Sequence, residues 1–194
     1  MDAHGNPVDE SKYPYGIAFI IYGGAELARA SGSKDGQKLA RDMYEALEKH
    51  ALGSTHGGYF DMTDDWISTD TLFSFGHDIE GAWRLTEAAE AYGGKELVEK
   101  CKPVSVRIAD ACADGINPDT GGLYAEANEH GLVDRQMSWW VQSEAVIGFF
   151  NAFQLTNDPK YLALTMNVVD YIRNYVSDHS DGKFREWLSS GAQD

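Results

Sequence analysis

Phe75-Gly76-His77-Asp78-Ile79-Glu80-Gly81-Ala82-Trp83, continuing to Ala91, decides how this chain folds. Its apolar residues recur at helical spacing over more than four turns, and polar residues interrupt them at only a few positions. A helix that is apolar nearly all round must be covered on every side. Two other segments share this character, Ile17 to Ala30 and Trp140 to Leu155, and each of the three is followed by a break and a second, amphipathic stretch with a charged face. The breaks are Ser31-Gly32-Ser33, Tyr92-Gly93-Gly94 and Thr156-Asn157-Asp158-Pro159; their turn residues Gly32, Gly93 and Asn157 are 61 and 64 residues apart. Each unit closes on a glycine-aromatic element: Gly57-Gly58-Tyr59-Phe60, Gly121-Gly122-Leu123-Tyr124 and Asp181-Gly182-Lys183-Phe184. The repeat predicts six helices in three hairpins, roughly residues 15–60, 75–124 and 139–184, within a single domain over 1–194. Covering the apolar helices with the amphipathic ones gives two concentric layers, an all-α, toroid-like arrangement; a plain bundle or a solenoid of hairpins is the alternative.

Working outward, 194 residues suffice for one domain with a sizeable core. Sixteen Lys+Arg against 31 Asp+Glu give a formal charge of −15, which repels phosphate backbones and anionic lipid, so neither nucleic acid nor a membrane surface is expected as a partner. No apolar run is long enough to span a bilayer, and the first residues show no secretory pattern, so a cytoplasmic protein is expected. Cys101 and Cys112, eleven residues apart on one expected helix, lie about 16 Å from each other by helical rise, too far for a disulfide; two free, packed thiols are expected. Phosphate-loop, dinucleotide and nucleophile-elbow patterns are absent, which disfavours nucleotide chemistry, and no two histidines have metal-ligand spacing, so no metal site is expected. His56 reads as a loop residue, and His4, His50, His130 and His179 as solvated.

Polar residues on the apolar helices carry the chemistry, because burying them is costly unless they are paired or used. His77 and Glu80, at i and i+3, share a helix face with Trp83 one turn further on. An imidazole beside a carboxylate is a tuned general base; alternatively His77 satisfies the helix start and Glu80 pairs with a lysine. Trp140 and Glu144, at i and i+4 in Trp139-Trp140-Val141-Gln142-Ser143-Glu144, offer an aromatic face and a carboxylate that would hold a sugar ring, or else are packing residues. Both groups stand at the same end of corresponding helices, so a toroid brings them to one mouth.

Phe75-Gly76-His77-Asp78-Ile79-Glu80-Gly81-Ala82-Trp83, Gly121-Gly122-Leu123-Tyr124, Trp139 to Phe149 and the turn Gln154 to Leu162 together resemble the cellobiose 2-epimerases of the N-acylglucosamine 2-epimerase superfamily. The resemblance runs from about Lys12 to Trp187. It implies an (α/α)6 barrel, here a partial one, and cofactor-free inversion at C2 of a reducing-end sugar through ring opening and an enediolate. It also implies that His77 is one of two proton-transferring imidazoles, that Glu80 positions it, and that Trp83, Trp140 and Glu144 contact sugar.

The same resemblance brings departures. The family has about twice this length, inserts a further hairpin where Asp61 to Trp66 joins the first hairpin to the second, and carries its second catalytic histidine beyond the counterpart of Trp187. Its N-terminal hairpins bear a substrate-binding arginine that is missing here. The chain is therefore expected to be about half a barrel that self-associates, most simply as a homodimer, to cover the open sides of its inner helices. Two functions compete: a carbohydrate 2-epimerase, and a catalytically impaired sugar-binding or self-assembling half-barrel.

Overall fold

The computed structural model describes residues 2–6, 8, 13–50, 72–92 and 94–180. Within them the chain forms α1 (Pro14–Ser31), α2 (Lys34–His50), β1 (Leu72–Ser74), α3 (Phe75–Tyr92), α4 (Lys95–Ala113), β2 (Glu126–Asn128), β3 (Gly131–Asp134), α5 (Trp139–Thr156) and α6 (Pro159–Tyr171), the last running into a π-helical turn over Ile172–Val176. The expected closing elements Gly57 to Phe60 and Asp181 to Phe184, the joining segment Asp61 to Trp66, His56 and Gly93 lie outside the described residues.

The helix turns follow from the residues that make them. Gly32 adopts φ 70° and sends its N–H back to the Ala28 carbonyl; Asn157, its counterpart two hairpins later, adopts φ 58° and does the same to Phe153. Both occupy the left-handed region that closes a helix C-terminus. Asp158 then caps α6, its carboxylate accepting the Lys160 N–H at 2.9 Å, with Pro159 at the first helical position.

Packing sorts the helices into the two layers expected. α3 lies between α1 and α5 and packs on both, while α2, α4 and α6 each back onto the preceding helix. The core runs through this sandwich: Ile21 and Ala25 of α1, Ile79 and Leu85 of α3, Ile108 of α4, Val141 and Phe149 of α5, and Tyr161 and Val168 of α6 are all buried. Large apolar side chains of this kind each contribute about 1.5–3 kcal/mol on burial. α1 and α2 approach closely because Gly24 and Gly36 face each other; a Cβ on Gly24 would stand 2.9 Å from the Gly36 carbonyl oxygen. Cys101 and Cys112 are buried free thiols.

Three short strands form an antiparallel sheet in the order β1-β2-β3, with Phe73 opposite Ala127 and Asn128 opposite Gly131. A helix-only reading of the sequence does not anticipate it, since strands of three or four residues are too short to display an alternating pattern. The sheet leads directly into α3 and thereby fixes where that helix begins. His50 is partly buried and engaged, contrary to the expectation of a solvated residue; it closes α2.

Candidate functional site

The start of α3 is also the start of the candidate site. Gly76 has no side chain because the Trp140 ring and Val141 occupy that space: an added Cβ would meet Trp140 Cη2 at 2.7 Å and Val141 Cγ2 at 2.8 Å. One turn deeper, Gly148 of α5 makes room for Ile79 in the same way. Two glycines therefore let α3 and α5 close up, and Trp140 comes to lie beside His77, ring centroids 5.1 Å apart at 33°. On the other side of His77, Tyr15 of α1 stacks at 4.2 Å and 13°.

The imidazole is thus held between two aromatic rings, one from the preceding hairpin and one from the following hairpin. One contact is stacked and the other tilted, so both act through ring faces and edges and neither is a hydrogen bond to a ring nitrogen. Burial pushes the His77 pKa below its ordinary 6.5, and the nearby Glu80 charge opposes that shift. Desolvation disfavours the imidazolium, so the neutral ring, the form that accepts a proton, is favoured at neutral pH.

Glu80 is buried, 7 % exposed, and its partner is neither a lysine nor His77. Arg84, one turn on, donates to Glu80 Oε1 from Nη2 at 2.7 Å and from Nε at 3.1 Å. Glu80 therefore acts on His77 through its charge. Trp83 Nε1–H donates to Glu144 Oε2 at 2.7 Å, tying α3 to α5. Burial raises the Glu144 pKa and the Glu80 charge adds to this, whereas the Trp83 hydrogen bond and Arg84 oppose it. A second tie between the two helices follows, Asn151 donating to Thr86 Oγ1 at 2.9 Å.

All five residues singled out in the sequence, His77, Glu80, Trp83, Trp140 and Glu144, fall in this one cluster. Sequence reading missed Tyr15, Arg84 and Gln142. The signal for Arg84 is its i+4 spacing from Glu80; Tyr15 carries no local signal. Gln142, fully buried, bonds Leu123 from both ends of its amide. The contacts keep the repeat's period: Trp83 and Glu144 are 61 residues apart and Thr86 and Asn151 are 65 apart.

Among the described residues, no group of three or more His, Cys, Asp and Glu is arranged to hold a metal ion, and no helix is long and apolar enough to cross a membrane. The arrangement offers a neutral base at the edge of an aromatic wall, with two carboxylates nearby, one ionically paired and one hydrogen-bonded to an indole. Such a site suits proton transfer on a polar, uncharged ligand that presents C–H faces to the rings.

Comparison with known proteins places the chain in a family. Residues 68–193 match the family model described as N-acylglucosamine 2-epimerase (GlcNAc 2-epimerase). A cellobiose 2-epimerase of Bacteroides fragilis is 24 % identical over 263 aligned positions, which take in 98 % of this chain and 66 % of the relative. Another from Ruminococcus albus is 28 % identical over 260, taking in 97 % of this chain and 66 % of the relative. With 194 residues set against 263 positions, at least 69 of them have no counterpart here, about the length of one hairpin repeat. A solved sugar epimerase from a ruminal bacterium superposes with a TM-score of 0.86 at 24 % identity, covering 92 % of this chain and 46 % of that one; the likeness is one of fold, a partial (α/α)6 barrel. The chain thus spans slightly under two thirds of these curated relatives and about half of the solved one.

Proposed function

The chain belongs to the N-acylglucosamine 2-epimerase family, and on that footing we propose that it acts as a carbohydrate 2-epimerase of the cellobiose 2-epimerase kind. The observation that carries the reading is the half-buried, neutral-leaning imidazole of His77 clamped between Tyr15 and Trp140 beside Glu80. In the ring-opened sugar, His77 removes the proton from C2. The C2–H bonding pair becomes the C1–C2 double bond, and the carbonyl pair moves onto O1 to give an enediolate. Return of a proton to the opposite face of C2, with the pair moving back, yields the epimer. Trp83, Trp140 and Glu144 are proposed to hold the sugar, the indoles against its C–H faces and the carboxylate on a hydroxyl. No redox partner enters this sequence, because one proton leaves and one returns. Positioned proton transfer of this kind is worth typically about 10²–10⁴-fold.

A second reading is a sugar-binding half-barrel without turnover. It is favoured by the surroundings of His77, where the ring partners are Tyr15 and Trp140 and no other described imidazole stands against them. Incubation with cellobiose in D2O separates the two. Epimer carrying deuterium at C2 supports the epimerase, deuterium without epimer identifies a one-base enzyme, and sugar binding without exchange supports the second reading.

Self-association belongs to the same proposal. α1 leaves Phe19, Ile20 and Leu27 exposed and α5 leaves Ile147 and Phe150 exposed, at the two ends of the inner layer. A second copy of the chain would cover these faces. Light scattering at low concentration should give twice the 21.4 kDa chain mass; a stable monomer would contradict the dimer.

A further inference from the structure

Arg84 is, among the described residues, the one inner-helix cation of the cluster, and its surroundings are specific. Its guanidinium carbon lies 4.1 Å from the centre of the Phe19 ring, 4.5 Å from Trp83 and 5.5 Å from Tyr22. Its side chain is 13 % exposed and that of Glu80, its ion-pair partner, 9 %. A guanidinium stacked on rings and bonded to a carboxylate through two nitrogens has little freedom, and neither does the carboxylate it holds. Phe19 and Tyr22 come from α1, so the clamp exists only because the first hairpin packs directly on the second.

We propose that Arg84 is a positioning residue: steadied by Phe19 and Tyr22 of α1, it holds the Glu80 carboxylate along α3 and sets the net charge that His77 and Glu144 experience. This rests on the epimerase reading for its purpose, but not for its geometry. Around His77 stand Glu80 from its own helix, whose charge acts on it, Tyr15 from α1 and Trp140 from α5; Arg84 is bonded to Glu80, and both of these act on Glu144 of α5. Asp78, also on α3, is buried and bears on Cys112 of α4. Glu80 favours the imidazolium, and Arg84 offsets that by sitting on the same carboxylate. Without the guanidinium, Glu80 would be a bare buried charge next to the base, its carboxylate free to turn toward the imidazole and hold it protonated. Such a latch would remove the base from the form that accepts a proton.

The experiment is an NMR titration of the His77 imidazole in the full chain, comparing the native protein with Arg84→Leu, Arg84→Lys, Glu80→Gln and the Glu80→Gln/Arg84→Leu pair. Arg84→Leu should move the His77 midpoint upward by about half a pH unit or more, and Arg84→Lys, which keeps the charge but loses the fork, should move it less. The shift caused by Arg84→Leu should shrink in the Glu80→Gln background, because the two residues act as a unit. Should Arg84→Leu not fold, Phe19→Ala loosens the cradle while keeping both charges, and a smaller shift in the same direction is expected. An unmoved midpoint, or equal shifts with and without Glu80, overturns the proposal. The titration needs no turnover, so failure of the epimerase reading and failure of this one are separate results.

Discussion

Gln142 and Leu123 close a two-way hydrogen bond across the site's foundation: the Leu123 N–H donates to Gln142 Oε1 at 2.7 Å, and Gln142 Nε2 donates to the Leu123 carbonyl at 2.8 Å. Gln142 also donates to the Ser138 carbonyl at 3.3 Å. A side-chain amide thus stands in for a strand partner, and it pins the loop after α4 to the first turn of α5. Just before it, Gly121 and Gly122 press against Asn167 and Tyr171 of α6, so the loop is fixed between the two layers.

Replacing Gln142 with Leu keeps the volume but leaves the Leu123 N–H and C=O buried without partners. Each such group costs about 1–3 kcal/mol, so a loss of roughly 2–4 kcal/mol in stability is expected. Calorimetry should show a drop in Tm of more than about 4 °C. A Tm within a degree of the native value would mean that water reaches these groups.

On the proposed epimerase reading the neutral form of His77 accepts the proton, and burial lowers its pKa from 6.5 against the pull of Glu80. The rate of C2 exchange should therefore rise with pH and level off, with its midpoint below 6.5. His77→Asn should lower that rate about 10²–10⁴-fold. For stability, the folded-state pKa lies below the unfolded one, so the unfolded chain binds more protons between them. Stability from this group is gained as pH rises through that window and lost below it. Glu144 runs the other way: its folded pKa lies above 4.5, and its contribution weakens as pH rises through that value. A rate midpoint above 6.5 would place Glu80, and not burial, in control.

Trp83→Phe removes the indole N–H and leaves Glu144 without its donor. The Glu144 pKa should climb further, because the hydrogen bond is the larger of the two effects that oppose burial. A stability loss of about 1–3 kcal/mol at neutral pH is expected, smaller at low pH where the acid is neutral. Urea unfolding at both pH values measures it, and an equal loss at each would assign the effect to packing alone.

Gly76→Ala places a methyl group inside the Trp140 ring and should cost about 1–3 kcal/mol. It should also displace Trp140 from His77, visible as a changed tryptophan emission spectrum and a shifted His77 ring signal. Gly23→Ala is the matched control. It stands in α1 with nothing within 4 Å of an added Cβ, and should stabilise by about 0.5–1 kcal/mol. If both changes behaved alike, close helix approach would not be what Gly76 provides.

Much of the site was legible because of the repeat. Helical spacing is a property of the backbone, so the apolar period marked His77, Glu80, Trp83, Trp140 and Glu144 as residues of inner helices without knowledge of any contact. The period of 61 and 64 residues even anticipated that equivalent positions in successive hairpins would lie side by side. What it left open was the pairing. Glu80 was expected to position His77 or to pair with a lysine; its ion-pair partner is Arg84, while its charge still acts on His77. Tyr15 drew no notice, because a tyrosine near the start of an apolar stretch looks like any other core residue.

The sequence by itself determined the hairpins, the division into inner and outer helices, and the turns at Gly32 and Asn157, since each follows from local backbone preference or from the need to cover an apolar face. Only the tertiary structure decided which side chains meet: Tyr15 and Trp140 on either side of His77, Arg84 against Phe19, and Gln142 on Leu123. The physical reason is that contacts between helices depend on how closely and at what rotation two helices pack. Single glycines such as Gly76 and Gly148 set that approach through an absence of atoms, which shapes the surroundings but leaves no periodic trace along the chain.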